Sequence, residues 1–470
     1  MTLVQLAVFT AAAAALGAIP WPRWRSWGLY GTSLVMLFWL QPATPLRHAD
    51  FWLPAVLLLL TILGWLSTQT DSPLKKRENL TSLVVIAVLF LMMVAARVTN
   101  LGVYLTATRP PGFTPVIVAL AGSLLLLTLI YFVRSGRGTN AVLSVFILLL
   151  FIVLKTDVLT TMAAHVARRW VGQDPQLAAP VDLNWLGFSY IAFRLLHTLR
   201  DQRAGRLPAM TLREYATYVL FFPAIVAGPI DRAERFLGDL RSHNTMDPER
   251  VFSGGKRLIL GIFKKYVLAA MLAVFALRVD LLTRVESGVW LWVLVYAYAF
   301  QLYLDFSGYT DVAVGLGLLA GIELPENFNH PYRKVNLTTF WNSWHMTLAQ
   351  WFRAYFFNPI TRALRRRRTV PTWLIILIGQ AGTMILIGLW HGVTWNFFLW
   401  GAWHAAGLFV HNRWVDFTRS HSERFERVPA RVHQVLGVLL TFHFVSMGWL
   451  WFALPTPSLA WETLLRMLGL

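Results

Sequence analysis

The chain has 470 residues, of which 56% are hydrophobic and only 14% are charged. Soluble domains carry roughly 45–50% apolar and about 25% charged residues, so this composition excludes an ordinary soluble protein. The 42 Lys and Arg exceed the 23 Asp and Glu, which gives a formal net charge of +19. Basic residues collect in the cytoplasmic loops of membrane proteins, where they face anionic lipid headgroups. This explains the positive charge of the chain, so we predict no nucleic-acid partner. The chain has no cysteine, which also excludes disulfides, thiolate nucleophiles and thiolate metal sites.

Apolar runs separated by short basic loops predict an all-α, polytopic membrane protein. Segments long enough to span, at ~20 residues each, predict about eleven transmembrane helices and two or three re-entrant or interfacial helices. The apolar segments from which these spans are drawn lie near residues 3–19, 27–41, 51–67, 80–96, 115–133, 140–160, 258–277, 289–304, 308–321, 373–390, 394–411 and 434–454. The first segment lacks a preceding basic region, so we interpret it as a retained helix and not a signal peptide.

The charges of the loops predict the orientation of the chain. Arg23 and Arg25 follow the first apolar segment, Lys75–Arg77 follows the third, and Arg134 and Arg137 follow the fifth. Loops rich in Lys and Arg stay on the cytoplasmic side. We therefore expect the N-terminus to lie outside.

The apolar pattern becomes irregular between residues 161 and 257. Trp185–Arg200 is apolar but contains charged and titratable groups, and Tyr215–Gly228 is too short to span comfortably. We expect both to be re-entrant or buried in the bundle, where irregular backbone is tolerated. The run Met246–Arg257 is typical of an amphipathic interfacial helix.

His391 is the first candidate for chemistry. It lies in IGLWHGVTW at the end of an apolar segment, between Gly388 and Gly392. Glycines leave room for another chain or a substrate to approach closely. A neutral imidazole there can take a proton from a hydroxyl near neutral pH, as a general base does. The alternative is a buried structural histidine bonded to a backbone carbonyl.

His345 is the second candidate and lies in FWNSWHMTLAQWF. The helical spacing predicts that it shares a face with Trp341, Trp344 and Leu348. Asn342 precedes it by three residues and is a candidate hydrogen-bond partner. Taken alone, His345 is better explained as an orienting group than as a catalyst.

Other polar groups in apolar surroundings have structural explanations. Asp305 and Asp311 could form a proton or ion relay, or a hydrogen-bonded clamp at a glycine-broken helix junction. His391 and His404 do not form the HExxH motif in which two histidines bind zinc, so no metal site is predicted. The cluster of Arg362 and Arg365–Arg368 is most simply a cytoplasmic charge cluster, although it could dock an acidic partner or phosphate.

Three stretches resemble the membrane-bound O-acyltransferase family in their order and spacing. They are DFSGYTDVAVGLGLLAGIELPENFNHPYR, FWNSWHMTLAQWFRAYFF and GLWHGVTWNFFLWGAWHA. The resemblance covers about residues 185–411. AGPIDR and FWNSWHMTL are similar to the bacterial branch that passes D-alanine to teichoic acids. Alginate-type O-acetyltransferases are the nearest alternative, usually with a WRRWH form and a PLGG continuation that this chain lacks.

The resemblance implies roles for individual residues. His391 matches the catalytic histidine of the family, and His345 matches a second, supporting histidine. Asn342, Trp344 and Arg353 fall in the same motif as His345 and are expected to contact substrate. Trp390 and Trp395, on either side of His391, are expected to do the same. Ala354 is a departure, because the branch commonly has Asp after WFR, and the donor route is therefore open.

The resemblance also implies a fold and a reaction. The fold is a ring of helices around a central funnel in the bacterial cytoplasmic membrane. The reaction transfers an acyl group, D-alanyl or acetyl, from an intracellular thioester to a hydroxyl of an extracytoplasmic envelope polymer or carrier. The expected donor is a phosphopantetheine carrier protein or acetyl-CoA, with no tightly bound cofactor. The expected partners are the bilayer, this carrier, and an acceptor or partner acyltransferase outside.

Two other functions stay open at this point. A transporter or flippase of an envelope precursor would use the intramembrane carboxylates and His391 to line a pathway. A scaffold for envelope enzymes would use the arginine cluster. For the acyltransferase we expect three regions: N-terminal transmembrane helices in 1–160, a catalytic core in 161–411, and a charged connection with a last transmembrane helix in 412–470.

Overall fold

The computed structural model describes residues 2–69, 76–98, 105–133, 137–242, 247–367, 369–421, 423 and 429–470. Within these ranges all regular secondary structure is helical, and no β-strand occurs. Lys75, Arg134, Met246 and Arg368, which carry parts of the loop, interfacial-helix and arginine-cluster predictions, lie outside the described residues. The chain divides into two compact units, one formed by Met1–Leu258 with Ala313–Leu324 and the other by Ile259–Val312 with Pro325–Leu470. The three functional regions expected from the sequence remain a prediction.

The first unit is built from helices of very different length. They are α1 (Leu3–Gly17), α2 (Pro22–Trp39), α3 (Ala49–Thr68), α4 (Arg77–Ala95), α5 (Phe113–Val133), α6 (Arg137–Lys155), α7 (Asp157–Trp170), α8 (Phe188–Arg203), α9 (Leu212–Val219), α10 (Ala233–Arg241) and most of α11 (Pro248–Ile262). Short 3₁₀ turns at Pro175–Leu177, Pro180–Leu183 and Phe222–Ala224 connect some of them.

The second unit contains the motifs that carry both candidate histidines. Its helices are α12 (Ala269–Ala273), α13 (Val279–Leu282), most of α14 (Gly288–Leu319), α15 (Leu337–Trp341), α16 (Met346–Phe352), α17 (Asn358–Arg365), α18 (Thr372–His391), α19 (Trp395–Ser420), α20 (Ala430–Ala453) and α21 (Pro457–Leu468). Two π-helical turns occur, at Phe263–Leu268 and Arg353–Phe357.

Seven helices of the described residues, namely α3, α4, α5, α6, α14, α18 and α20, are long and apolar enough to cross a membrane. The predicted fold class, an all-α polytopic membrane protein, is confirmed. The number is lower than the predicted eleven for identifiable reasons. Helix α1 is apolar but has only 15 residues, against the ~20 that a span needs. Helix α2 carries Arg25, whose buried guanidinium donates to the backbone oxygens of Asp239 and Ser242 at 3.0 and 2.9 Å.

The predicted spans at 289–304 and 308–321 form one helix, α14, which the expected junction at Gly308 does not break. A Cβ atom at Gly308 would lie 2.8 Å from the backbone oxygen of Gly261. This glycine therefore serves close backbone packing, as small residues do between membrane helices. Likewise, the predicted interfacial helix and the span after it form one helical run over residues 248–273, which includes the π-helical turn Phe263–Leu268.

The irregular region of the first unit is buried, as expected. Every residue of α9 is buried, and α8 buries most of its length. The fully buried guanidinium of Arg194 in α8 donates to the backbone oxygens of Val219 and Ala224 at 3.0 and 2.9 Å. These bonds offset the cost of removing the charge from water, because buried charges are tolerated when they are hydrogen-bonded.

Candidate active site

Helices α18 and α19 form a tight hairpin around His391. His391 is the last residue of α18, Gly392 caps it with extended backbone, and α19 begins at Trp395. A Cβ atom at Gly388 would lie only 2.1 Å from the backbone oxygen of Phe397. The space that Gly388 provides is therefore occupied by α19 of the same chain and not by a substrate. The two helices can approach this closely only because that position has no side chain.

The imidazole of His391 is half-buried and enclosed by aromatic rings. Its ring centroid lies 4.5 Å from that of Trp390, 4.8 Å from Phe452 and 5.7 Å from Phe397. Asn396 in the first turn of α19 donates to the backbone oxygen of Leu454, which follows α20. This bond ties the start of α19 to the end of the helix that supplies Phe452. The position of the imidazole is therefore held by three helices.

His345 lies in a break between two short helices and not on one continuous helical face. Helix α15 ends at Trp341, α16 begins at Met346, and His345 caps α16 in the left-handed conformation with φ of 43°. The predicted continuous helix is therefore wrong, although Trp341, Trp344 and Leu348 line the same cavity as His345. A left-handed residue other than glycine costs of order 1–3 kcal/mol, and such residues are found preferentially at functional sites.

Asn327 holds the chain in this conformation. Its backbone oxygen accepts from the N–H of Met346 at 2.9 Å, and its Oδ1 accepts from the hydroxyl of Thr347 at 2.6 Å. The N–H of Asn329 also donates to the backbone oxygen of Ser343 at 3.0 Å. These bonds occupy the backbone groups on both sides of His345, so its side chain is aimed by a fixed backbone.

His345 and His391 line the same cavity, whose volume is about 50 Å³. This volume exceeds the ~10–15 Å³ that one water molecule needs, so the cavity has room for small polar groups. The remaining wall is almost entirely apolar and aromatic, formed by Leu302, Phe306, Trp341, Trp344, Leu348, Ala349, Ile387, Trp400, Trp449 and Phe452. Two imidazoles are thus the titratable groups of an otherwise hydrocarbon-like pocket.

Burial keeps His345 neutral. It is only 4% exposed, and desolvation lowers its pKa to about 3 because the charged form loses its water. The ring of Phe306 packs edge-to-face with the imidazole, with 4.8 Å between the ring centroids. A neutral imidazole can donate one hydrogen bond and accept one. His345 is therefore suited to orient a reactant and not to supply a positive charge.

The other predicted contact residues divide into two groups. Trp344 lines the cavity, and Trp390 lies between the histidines, 4.5 Å from His391 and 6.0 Å from His345 between centroids.

The remaining three do not line it. Arg353 donates to Oδ1 of Asn342, both on the surface, and Trp395 is 73% exposed and contacts Phe398. Asn342, Arg353 and Trp395 thus lie outside the cavity, and their contact with substrate remains a prediction.

Several cavity residues carry no recognisable signal in the sequence. Phe306 comes from α14, Trp449 and Phe452 from α20, and Trp400 from the interior of α19. Apolar residues inside apolar helices look the same whether they face lipid, a neighbouring helix or a cavity. Phe306 lies in DFSGYTDVAVGLG and Trp400 in WNFFLWGAWHA, two stretches that the sequence singles out, whereas Trp449 and Phe452 lie in none of them.

The intramembrane carboxylates form ion pairs. Nζ of Lys264 lies 2.6 Å from Asp311, and Nζ of Lys265 lies 2.5 Å from Asp305. These ion pairs favour a structural clamp for Asp305 and Asp311 over a proton or ion relay. The helix that carries both carboxylates is, however, not broken at a glycine. Among the described residues, no group of three or more His, Cys, Asp or Glu side chains could hold a metal ion. His404 is fully buried and packs against Trp341 and Trp400.

Together, the apolar helices and the histidine-containing cavity define a multi-pass membrane protein with one candidate centre for proton transfer. The family model of membrane-bound O-acyltransferases matches residues 135–451. This match includes both histidines and every residue of the cavity except Phe452. The chain belongs to the membrane-bound O-acyltransferase family.

Curated relatives of the chain are named for the acylation of alginate, peptidoglycan and teichoic acid. The chain is 35% identical over 279 residues to "Probable alginate O-acetylase AlgI" of Azotobacter vinelandii, covering 59% of this chain and 52% of that protein. It is 33% identical over 260 residues to a peptidoglycan O-acetyltransferase of Helicobacter pylori, covering 55% and 47%. It is 31% identical over 274 residues to a teichoic acid D-alanyltransferase of Bacillus subtilis, covering 57% and 68%. The chain thus spans about half the length of the first two relatives.

Proposed function

We propose that the protein is a membrane O-acyltransferase that moves an acyl group from a thioester to a hydroxyl. The observation that carries this proposal is the placement of His345 and His391 in one aromatic cavity within the family-matched region. The relatives named above are acyltransferases by name. The thioester is already activated, so the protein has to position two reactants and remove one proton.

His391 acts as the general base. Its imidazole takes the proton of the acceptor hydroxyl while the oxygen attacks the thioester carbonyl carbon. The tetrahedral intermediate then collapses, the carbon–sulfur bond breaks, and the imidazolium returns the proton to the departing thiolate. The products are an ester and a thiol. General base catalysis contributes roughly 10²–10⁴-fold, and orientation of the two reactants contributes several further kcal/mol.

His345 and Trp390 position the reactants. The neutral imidazole of His345 donates a hydrogen bond to the acceptor or to the developing oxyanion, a form of stabilisation that is strong where water is excluded. The indole of Trp390, which contacts both imidazoles, keeps their separation constant. No serine or cysteine nucleophile is needed, in agreement with a chain that lacks cysteine.

We infer the donor, the acyl group and the acceptor from the resemblance to the family. The donor is a thioester on a phosphopantetheine carrier protein or acetyl-CoA on the cytoplasmic side. The acyl group is D-alanyl or acetyl, and the acceptor is a hydroxyl of an envelope polymer or carrier outside the bacterial cytoplasmic membrane. We place the N-terminus outside, because Arg23 near the start of α2 and Lys76 and Arg77 at the start of α4 mark helix ends that the charge rule assigns to the cytoplasm.

The experiment is to replace His391 with Ala in cells that carry no other copy of the gene. Hydroxylamine-sensitive ester in the envelope should fall to the level of the deletion strain, while the variant is inserted in normal amounts. His411→Ala is the matched control, since His411 lies on α19 outside the cavity and bonds Thr338 instead. Ester content that survives His391→Ala contradicts the proposal. Unchanged ester with accumulated precursor inside favours the transporter instead.

A further inference from the structure

A second cavity lies in the first unit, at the end of the candidate span of α6. Its volume is about 220 Å³, several times that of the histidine cavity. It is smaller than the ~300–1,000 Å³ typical of sites for drug-sized ligands, so it has room for one small chemical unit. The polar residues that line it include Lys155, Asp157, Asn184 and Ser189. None of them belongs to the proposed chemistry.

The wall of this cavity is held by a buried ion pair. Arg168 in α7 donates to both carboxylate oxygens of Asp182, at 2.5 and 2.7 Å, and Asp182 is fully buried. The N–H of Ala179 donates to the same carboxylate at 3.2 Å. Two-pronged arginine–carboxylate pairs are strong and directional. The pair of Arg168 and Asp182 fixes the turn Pro180–Leu183 against α7. This turn forms one side of the cavity, so the cavity exists before any ligand binds.

The cavity lies where the chain leaves the membrane. Lys155 is the last residue of an apolar span. The helix that follows, α7, exposes Val158, Met162 and Trp170 at 70, 61 and 85%, while it also carries Arg168. An amphipathic helix of this kind lies in the interface between lipid and water. In the orientation proposed above, the start of α6 faces the cytoplasm, so the cavity lies at the outer end of this helix, on the side of the acceptor.

The lining selects a neutral ligand rich in hydroxyl groups. Lys155 and Asp157 contribute opposite charges, so a simple anion or cation would meet a like charge. A hydroxyl can donate to the carboxylate of Asp157 and accept from the ammonium of Lys155 or the amide of Asn184. The rings of Trp185 and Phe188, 4.9 Å apart between centroids, supply an apolar face.

One polar atom in the wall lacks a partner. Nε1 of Trp185 is buried and has no hydrogen-bond partner among the residues that the structure describes. An unsatisfied buried donor costs about 1–3 kcal/mol, and such atoms often mark places that a ligand or water completes. An oxygen-rich ligand in the adjoining cavity supplies an acceptor of the required kind.

We propose that this cavity binds one sugar unit of the acceptor polymer and so holds the acceptor on the outer side. The inference rests on the proposed acyl transfer and adds the class of acceptor: a neutral saccharide. Asn184, Trp185 and Asp157 are acceptor-binding residues, since they contact the sugar and take no part in the proposed proton transfer.

The test measures binding of fluorescein-labelled neutral tetrasaccharides of glucose, mannose and galactose to the purified full-length protein by fluorescence anisotropy. At least one should bind, and Asn184→Ala should weaken that binding by about fivefold to tenfold, the loss expected for one hydrogen bond. The matched control is Gln176→Ala, an exposed amide in the neighbouring turn outside the cavity. Trp185→Phe keeps an aromatic ring but loses the Nε1 donor, so it should weaken binding by about the same factor as Asn184→Ala, and Trp185→Ala should weaken it further.

Other outcomes overturn the proposal. It fails if none of the neutral tetrasaccharides binds, if Asn184→Ala binds as tightly as Gln176→Ala, or if phosphatidylethanolamine nanodiscs displace the sugar competitively. His391→Ala separates this test from that of the proposed function, because it should bind the sugar normally while transferring nothing. In transfer assays, Asn184→Ala should raise the KM for the acceptor and leave kcat nearly unchanged.

Discussion

Replacing Gly388 with Ala should displace His391 without removing any catalytic group. The added Cβ would stand 2.1 Å from the backbone oxygen of Phe397. To reach about 3.0 Å, α18 and α19 must separate by roughly 0.9 Å, and a misplacement of about 1 Å can lower a rate by ~100-fold. Overpacking itself costs about 1–3 kcal/mol of stability. We therefore expect an inserted protein with about 1% of normal activity.

Gly382→Ala on the same helix is the matched control. Its Cβ would meet only the ring edge of Phe356, at 3.1 and 3.2 Å, which a side-chain rotation can relieve. Alanine also favours the helix by about 1 kcal/mol. The assay compares hydroxylamine-released ester per amount of membrane protein, together with the unfolding temperature of each variant in detergent. If Gly388→Ala is as active as Gly382→Ala, the close approach of α19 does not position His391.

Two further predictions follow from buried groups. His345→Ala should lower ester formation at least tenfold while the amount of inserted protein stays within about twofold; an equal fall in both would make His345 purely structural. Lys264→Met should lower the unfolding temperature more than Lys265→Met, because it leaves the carboxylate of Asp311, 8% exposed, without its ion pair, whereas Asp305 is 51% exposed. The expected loss for Lys264→Met is on the order of 1–3 kcal/mol, and equal unfolding temperatures would contradict it.

Sequence reasoning could predict the fold class and part of the site. The apolar runs at α3 to α6, α18 and α20 are long and unambiguous, so their helices could be located from hydropathy alone. The motifs with His345 and His391 mark both histidines, and the structure brings them to one cavity. Trp344 and Trp390 are also in or beside that cavity, as the motif resemblance implies.

Other features depend on contacts that a local pattern does not contain. Gly308 looks like a helix break, but it is required by the backbone of Gly261, which is 47 residues away in the chain. The left-handed turn at His345 depends on hydrogen bonds to Asn327. Trp395 resembles its neighbours in sequence, yet it faces outward. Phe452 approaches His391 only because α20 packs beside α19, and no motif marks it.

In the proposed mechanism, His391 removes the proton of the acceptor hydroxyl during acyl transfer. The most direct measurement follows a radiolabelled acyl group from a phosphopantetheine carrier thioester or from acetyl-CoA in proteoliposomes that contain the purified protein and a hydroxyl acceptor. The wild-type protein should form labelled, hydroxylamine-sensitive ester from one of the two donors, and His391→Ala should lower the single-turnover rate by at least ~100-fold with unchanged donor binding. Labelled ester formed by His391→Ala at the wild-type rate would show that His391 is not the general base.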